Sequence, residues 1–66
     1  MTEEQKASVI NARVTCAMIR AMGMQAENAL RERRGEALAY NEQAFLNVIA
    51  EEDINWNAIY KLLYHQ

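Results

Sequence analysis

Apolar side chains crowd one stretch of this chain. Residues 14–26 run VTCAMIRAMGMQA, with nine of thirteen positions apolar and Arg20 the only charge. On a helix, where successive residues turn by about 100°, those side chains cover more than half of the circumference, against the single stripe of an ordinary core-facing helix. A helix apolar on most sides needs cover on most sides. A chain of 66 residues has little material for that, so the pattern predicts that copies of the chain associate through this helix.

The ends of the helix can be read from its capping residues. Thr2 followed by Gln5 fits a capping box, and Glu3 and Glu4 suit the positive end of a helix dipole. The periodicity then runs on to Arg34, with Gly35 as the natural C-cap. Gly23 lies inside and costs about 1 kcal/mol relative to Ala, but apolar spacing continues on both sides of it. The expected long helix, about 2–34, would measure roughly 45 Å at 1.5 Å per residue. Residues 36–40 are a connector or the first turn of the next helix. Asn41 is a good N-cap, with Tyr40 and Phe45 at hydrophobic-staple positions around it, which predicts a helix over 42–51. After the acidic turn Glu51, Glu52, Asp53, the trio Ile54, Asn55, Ile59 repeats that arrangement and opens a third helix, 56–64. The expected fold is all-α: one long N-terminal helix and two short ones in a single domain, 1–66, assembled as a homo-oligomer, a dimer or larger.

On the long helix Ile10, Val14, Ala17, Ala21 and Met24 form a heptad-spaced seam, and the two central alanines would let another helix approach closely. This seam is the expected oligomer interface. Met18, Met22 and Ala29 mark a second face, and Ile19, Ala26 and Leu30 a third. Arg13, Arg20, Glu27, Arg31 and Arg34 share the remaining ridge, expected to face water. Phe45, Leu46, Ile49, Ile59, Leu62 and Leu63 are the expected cover for one face, the partner chain taking another.

Size and composition sharpen this picture. A domain this small buries only roughly 60% of the surface of its unfolded chain and draws about 3–5 kcal/mol from its core. Disulfides, a metal or oligomerisation usually make up the difference. With one cysteine and one histidine, neither an internal disulfide nor a thiolate–imidazole tetrahedral zinc site can form, which leaves oligomerisation. A net charge of −2 and a pI near 5.2 argue against loose binding to nucleic acid or anionic membrane. The acidic start MTEEQK is unlike a secretory leader, and thirteen apolar-rich residues broken by Arg20 are too few to cross a bilayer. A free cysteine and no export signal point to a reducing cytoplasm.

Candidate chemistry is sparse. Cys16 has only Arg20 nearby to activate it, and His65 stands beside the C-terminus; the pair offers no nucleophile–base arrangement. Glu51, Glu52 and Asp53 read as a solvated turn. No catalytic residue, cofactor or metal is expected. Arg31, Arg33 and Arg34 either suit the negative end of the helix, with Glu27 and Arg31 paired one turn apart, or clamp a phosphate or carboxylate. Asn28 continues the heptad seam, where it fixes register between paired helices or marks where the seam opens to water. Tyr40, Trp56, Tyr60 and Tyr64, interleaved with Asn41, Asn55 and Asn57, supply the residue types of binding hot spots. The expected contact surface combines Arg31, Arg33 and Arg34 with Tyr40, Trp56, Asn57, Tyr60 and Tyr64.

Two resemblances follow. Residues 49–63, IAEEDINWNAIYKLL, resemble the helix-turn-helix of DNA-binding regulators, with Ala50 in the first helix, Ile54 in the turn, and Ile59 and Leu62 on the second. That resemblance implies major-groove contacts from Asn55, Trp56, Asn57 and Lys61, although the turn lacks the usual Gly. Residues 21–45, AMGMQAENALRERRGEALAYNEQAF, with a short closing helix after them, look like small helical accessory proteins of tailed bacteriophages. This second resemblance carries no catalytic motif. It implies a small helical oligomer that acts by binding: inhibition of a bacterial host or anti-phage defence protein, or sequestration of a nucleotide signal between subunits.

Overall fold

The computed structural model describes residues 1–64, and all its regular structure is helical. Three helices follow in order: α1, Glu3–Arg33; α2, Glu42–Glu51; α3, Trp56–Tyr64. Each begins where a polar side chain accepts an N–H that the helix itself cannot satisfy. Thr2 Oγ1 accepts from the Gln5 amide at 3.0 Å while Gln5 Oε1 accepts from the Thr2 amide at 2.9 Å, closing the capping box. Asn41 Oδ1 takes the Ala44 amide and Asn55 Oδ1 the Ala58 amide, both at 2.9 Å. All three starts fall where the sequence placed them.

The first two helices end in the same way. Arg34, and not Gly35, is the cap of α1; Gly35 stands one residue beyond it at φ +73°. The Gly35 amide donates to Glu32 O and the Glu36 amide to Arg31 O, the paired bonds of a Schellman turn. At the end of α2 the left-handed position belongs to Asp53, φ 54°, with the Asp53 amide donating to Ala50 O and the Ile54 amide to Ile49 O. A short polar side chain tolerates this conformation better than a β-branched one, so the turn forms without glycine.

Contacts along α1 trace a hairpin whose second arm is broken once. Asn28 meets Ala39 and Tyr40, Arg20 meets Glu51 and Glu52, Arg13 meets Asp53, and Lys6 meets Leu63. α2 and α3 thus descend α1 in succession, each packing on α1 and neither on the other. The result is a flat rod, 49 × 18 × 10 Å. Its radius of gyration, 15.2 Å, exceeds the roughly 11 Å of a compact domain of this length.

The face that α1 turns to its own second arm differs from expectation. Lys6, Arg13, Arg20 and Glu27 recur every seven residues; the first three reach across to α2 and α3, while Arg20 and Arg34 stay exposed as expected of the ridge and Arg13, Glu27 and Arg31 are half-buried. Cations on that line meet the acidic turn and the free carbonyls at the ends of the short helices, acceptors 31 to 57 residues away in sequence. The seam Ile10, Val14, Ala17, Ala21 and Met24, expected at the oligomer interface, adjoins it. Ala17 is buried, Ile10, Ala21 and Met24 are half-buried, and only Val14 stays exposed. Phe45, Ile59, Leu62 and Leu63 are half-buried as expected, whereas Leu46 and Ile49 remain exposed and Val48 does the burying in α2. Among the described residues Ala17 and Val48 are the only apolar side chains that are buried.

Candidate functional site

The residues expected to form one contact surface fall into two groups at opposite ends of the rod. Arg31, Arg33 and Arg34 occupy the last turn of α1 and its cap. Tyr40 is near them, because Asn28 holds its backbone: Asn28 Oδ1 accepts the Ala39 and Tyr40 amides at 3.1 and 3.0 Å, and Nδ2 donates to Tyr40 O at 2.8 Å. Trp56, Asn57, Tyr60 and Tyr64 lie on α3, beside the first half of α1. Eighteen residues separate Arg13, next to the α2–α3 turn, from Arg31, about 27 Å along a helix. Within one chain the arginines and the aromatic residues of α3 do not meet.

At the arginine end, Arg31 Nε donates to Glu27 Oε1 at 2.9 Å, the pair expected from their spacing. That leaves Arg33 and Arg34 exposed. At the other end, Trp56, Tyr60 and Tyr64 recur every four residues and form a stacked ladder, ring centroids 6.0 and 4.8 Å apart with the planes tilted by 48° and 49°. The ladder is open to solvent, Trp56 at 74%, Tyr60 at 44% and Tyr64 at 68% exposure. Opposite it, Ile59, Leu62 and Leu63 turn toward α1, so α3 docks by one face and presents the aromatic one. Asn57 lies off the ladder, in an open cleft of about 520 Å³ lined also by Arg13, Asp53, Asn55 and Lys61.

Three side chains that sequence reading left without this role hold the two arms together. Lys6 is 4% exposed; its ammonium donates to Leu63 O at 2.8 Å and lies 3.6 Å from Glu3 Oε1. Arg13 donates to Asp53 O at 3.2 Å. Arg20 bridges Glu51 and Glu52, and these hydrogen bonds, Glu51 first, raise its pKa above the ordinary arginine value. Their seven-residue spacing was the one visible signal. Asn28 likewise proves to clamp the connector of its own chain.

A second open region runs along α1. Between Lys6 and Arg31 its only charged residues are Arg13, Arg20 and Glu27, all on the side facing the second arm. The remaining face is free of charge for 24 residues and exposes Met18, Ile19 and Met22 by 60–64%. Beside it Val14, Met18, Phe45, Leu46 and Ile49 line a wholly apolar groove of about 320 Å³ between α1 and α2.

Cys16 is exposed and free; His65 lies outside the described residues. Among the described residues no set of three or more His, Cys, Asp and Glu is placed to hold a metal, and no helix is long and apolar enough to cross a membrane. The α2–α3 segment departs from a helix-turn-helix, in which the two helices cross and pack on one another. No known protein family, curated protein or solved structure matches the chain.

Proposed function

We propose that this chain is a non-enzymatic binding protein that self-associates through α1 and engages a protein target through the aromatic ladder of α3. The observation that carries the reading is the ladder: three large rings, stacked and solvent-facing on a helix whose opposite face is docked. Trp and Tyr side chains dominate binding hot spots because they bury much area at little rotamer cost. Trp56 and Tyr64 keep about two thirds or more of their surface in water.

Self-association draws its support from surface area. A compact monomer of 7.6 kDa exposes about 4,300 Å², whereas this chain exposes 5143 Å². The excess, roughly 800 Å², equals the share one partner buries in an interface of standard size. The resemblance of residues 21–45 to small phage accessory proteins directs the target toward a bacterial host or defence component, blocked by occupancy. DNA binding and nucleotide capture are the competing readings.

Native mass spectrometry of protein purified from bacterial cells reads subunit number and any bound protein or nucleotide together. The expected result is an oligomer carrying a protein. With that target isolated, Trp56→Ala or Tyr60→Ala weakens binding at least tenfold, as hot-spot truncations do, while circular dichroism is unchanged. Replacing Arg33 and Arg34 by Ala leaves affinity within about threefold. A bound nucleotide lost on the arginine changes, or affinity for DNA falling steeply with salt, overturns the reading.

A further inference from the structure

Resting on the self-association proposed above, we infer that two chains pair antiparallel through the Met18–Met22 face of α1, with Glu4 of each chain at the end of the seam that carries Arg33 of the other. The face is the uncharged one, and its pattern is self-complementary. Asn11, Thr15, Met18, Met22, Gln25 and Ala29 follow one another by four and three residues in turn, the spacing of a coiled-coil seam. All six are exposed. Asn11 and Ala29 are eighteen residues apart, five whole turns of helix, so they stand on one line with the methionines between them.

The midpoint of that line falls between Met18 and Met22. A two-fold axis there sets Met18 of one chain against Met22 of the other, Thr15 against Gln25, and Asn11 against Ala29. Each chain then offers the same patch to its partner, as a closed two-fold interface requires. The apolar groove beside Met18 lies at the flank of the seam and extends the area available for burial.

Charge at the ends of the seam sets the direction. The first turn of α1 is acidic, Glu3 and Glu4, and the last is basic, Arg31 and Arg33. Glu3 is drawn to Lys6 and Arg31 to Glu27; Glu4 at one end and Glu32, Arg33, Arg34 and Glu36 at the other are exposed and without an ion pair among the described residues. Antiparallel packing about that axis brings each Glu4 to the end that carries Arg33 of the other chain, three residues or about 4.5 Å along the helix axis from facing it, a gap that an arginine side chain spans. Parallel packing sets Glu4 against Glu4 and Arg33 against Arg33. Over residues 31–36 the three cations Arg31, Arg33 and Arg34 outnumber Glu32 and Glu36 by one, so that end keeps a positive sign. Antiparallel alignment also opposes the two helix dipoles.

The test uses the full chain with Cys16→Ser, carrying either Asn11→Cys or Ala29→Cys, one of the two bearing a mass tag. Sedimentation equilibrium reports association, and mild oxidation of the mixed variants reports geometry. Antiparallel pairing gives mainly the mixed Asn11–Ala29 crosslink, with each variant alone crosslinking poorly. Homotypic crosslinks overturn the direction, and a dimer giving no crosslink overturns the face. A monomer at every concentration overturns the self-association itself. In the otherwise native chain, Arg33→Glu weakens the dimer about tenfold at low salt in the antiparallel arrangement. An unchanged dissociation constant overturns the Glu4–Arg33 pairing.

Discussion

Asn28 meets the connector as another peptide unit would, its carbonyl oxygen accepting two amides and its amide nitrogen donating to the carbonyl of Tyr40. That geometry closes the hairpin where the chain leaves α1 and before Asn41 caps α2. Asn28→Ala removes all three bonds together and returns two amides and a carbonyl of the exposed connector to water. The expected loss is about 0.5–1.5 kcal/mol, read by urea denaturation at fixed protein concentration. Asn28→Asp retains the acceptor and lacks the donor, so its loss falls between zero and that of Asn28→Ala. Equal stability of wild type and Asn28→Ala would show that the connector is held by something else. Lys6 is the other residue of this kind. Its aliphatic stem is covered by the packing of α3 while its ammonium meets a terminal carbonyl, a division between stem and head that long cationic side chains commonly adopt.

The helices themselves were legible because their limits are local chemistry. Thr2, Asn41 and Asn55 each cap an N-terminus, and Gly35 takes the left-handed position just beyond Arg34. None of these depends on a distant residue. The orientation of α1 was not legible for the opposite reason. Ridge charges read as solvent-facing by default, and their real acceptors, the Glu51–Glu52–Asp53 turn and the Leu63 carbonyl, are separated from them by 31 to 57 residues. Once Arg13 and Arg20 point to the second arm, the side of the helix away from it is the Met18–Met22 side, one of three apolar faces in the sequence. The two-ended placement of Arg33 and Trp56 was hidden likewise, because it follows from the direction of the hairpin. Gly23 offers a clean test at this scale. A Cβ built there meets nothing within 4 Å, and the residue is exposed within the helix. Gly23→Ala should therefore raise stability by about 0.5–1 kcal/mol, with helix content measured by circular dichroism equal or higher. A loss of stability would mean that a neighbour not present in the isolated chain packs on that position.

At the scale of the molecule, what stands out is how little of the chain is covered by itself. Two buried apolar side chains, Ala17 and Val48, are a small core for a rod 49 Å long. The ties between its arms are a few hydrogen bonds from Lys6, Arg13 and Asn28 and the exposed Arg20–Glu51 and Arg20–Glu52 pairs, which solvent screens. Intrachain contacts of that kind do not offset the entropy of ordering a hairpin, so folding should be coupled to association. Such coupling has a direct thermal signature, because anything that binds only the folded form makes the melting temperature depend on its concentration. Here the ligand is the chain itself. A tenfold rise in concentration adds about 1.4 kcal/mol per mole of dimer, which for a helical assembly of this size corresponds to about 3–5 °C in Tm. Circular dichroism melts over a hundredfold range of concentration should therefore shift upward in even steps. Below the dissociation constant the helix signal should decline before any heating. A Tm independent of concentration, with full helicity at the lowest concentration, would mean that the single chain is stable with its methionine face bare, and the excess surface would then belong to a different protein.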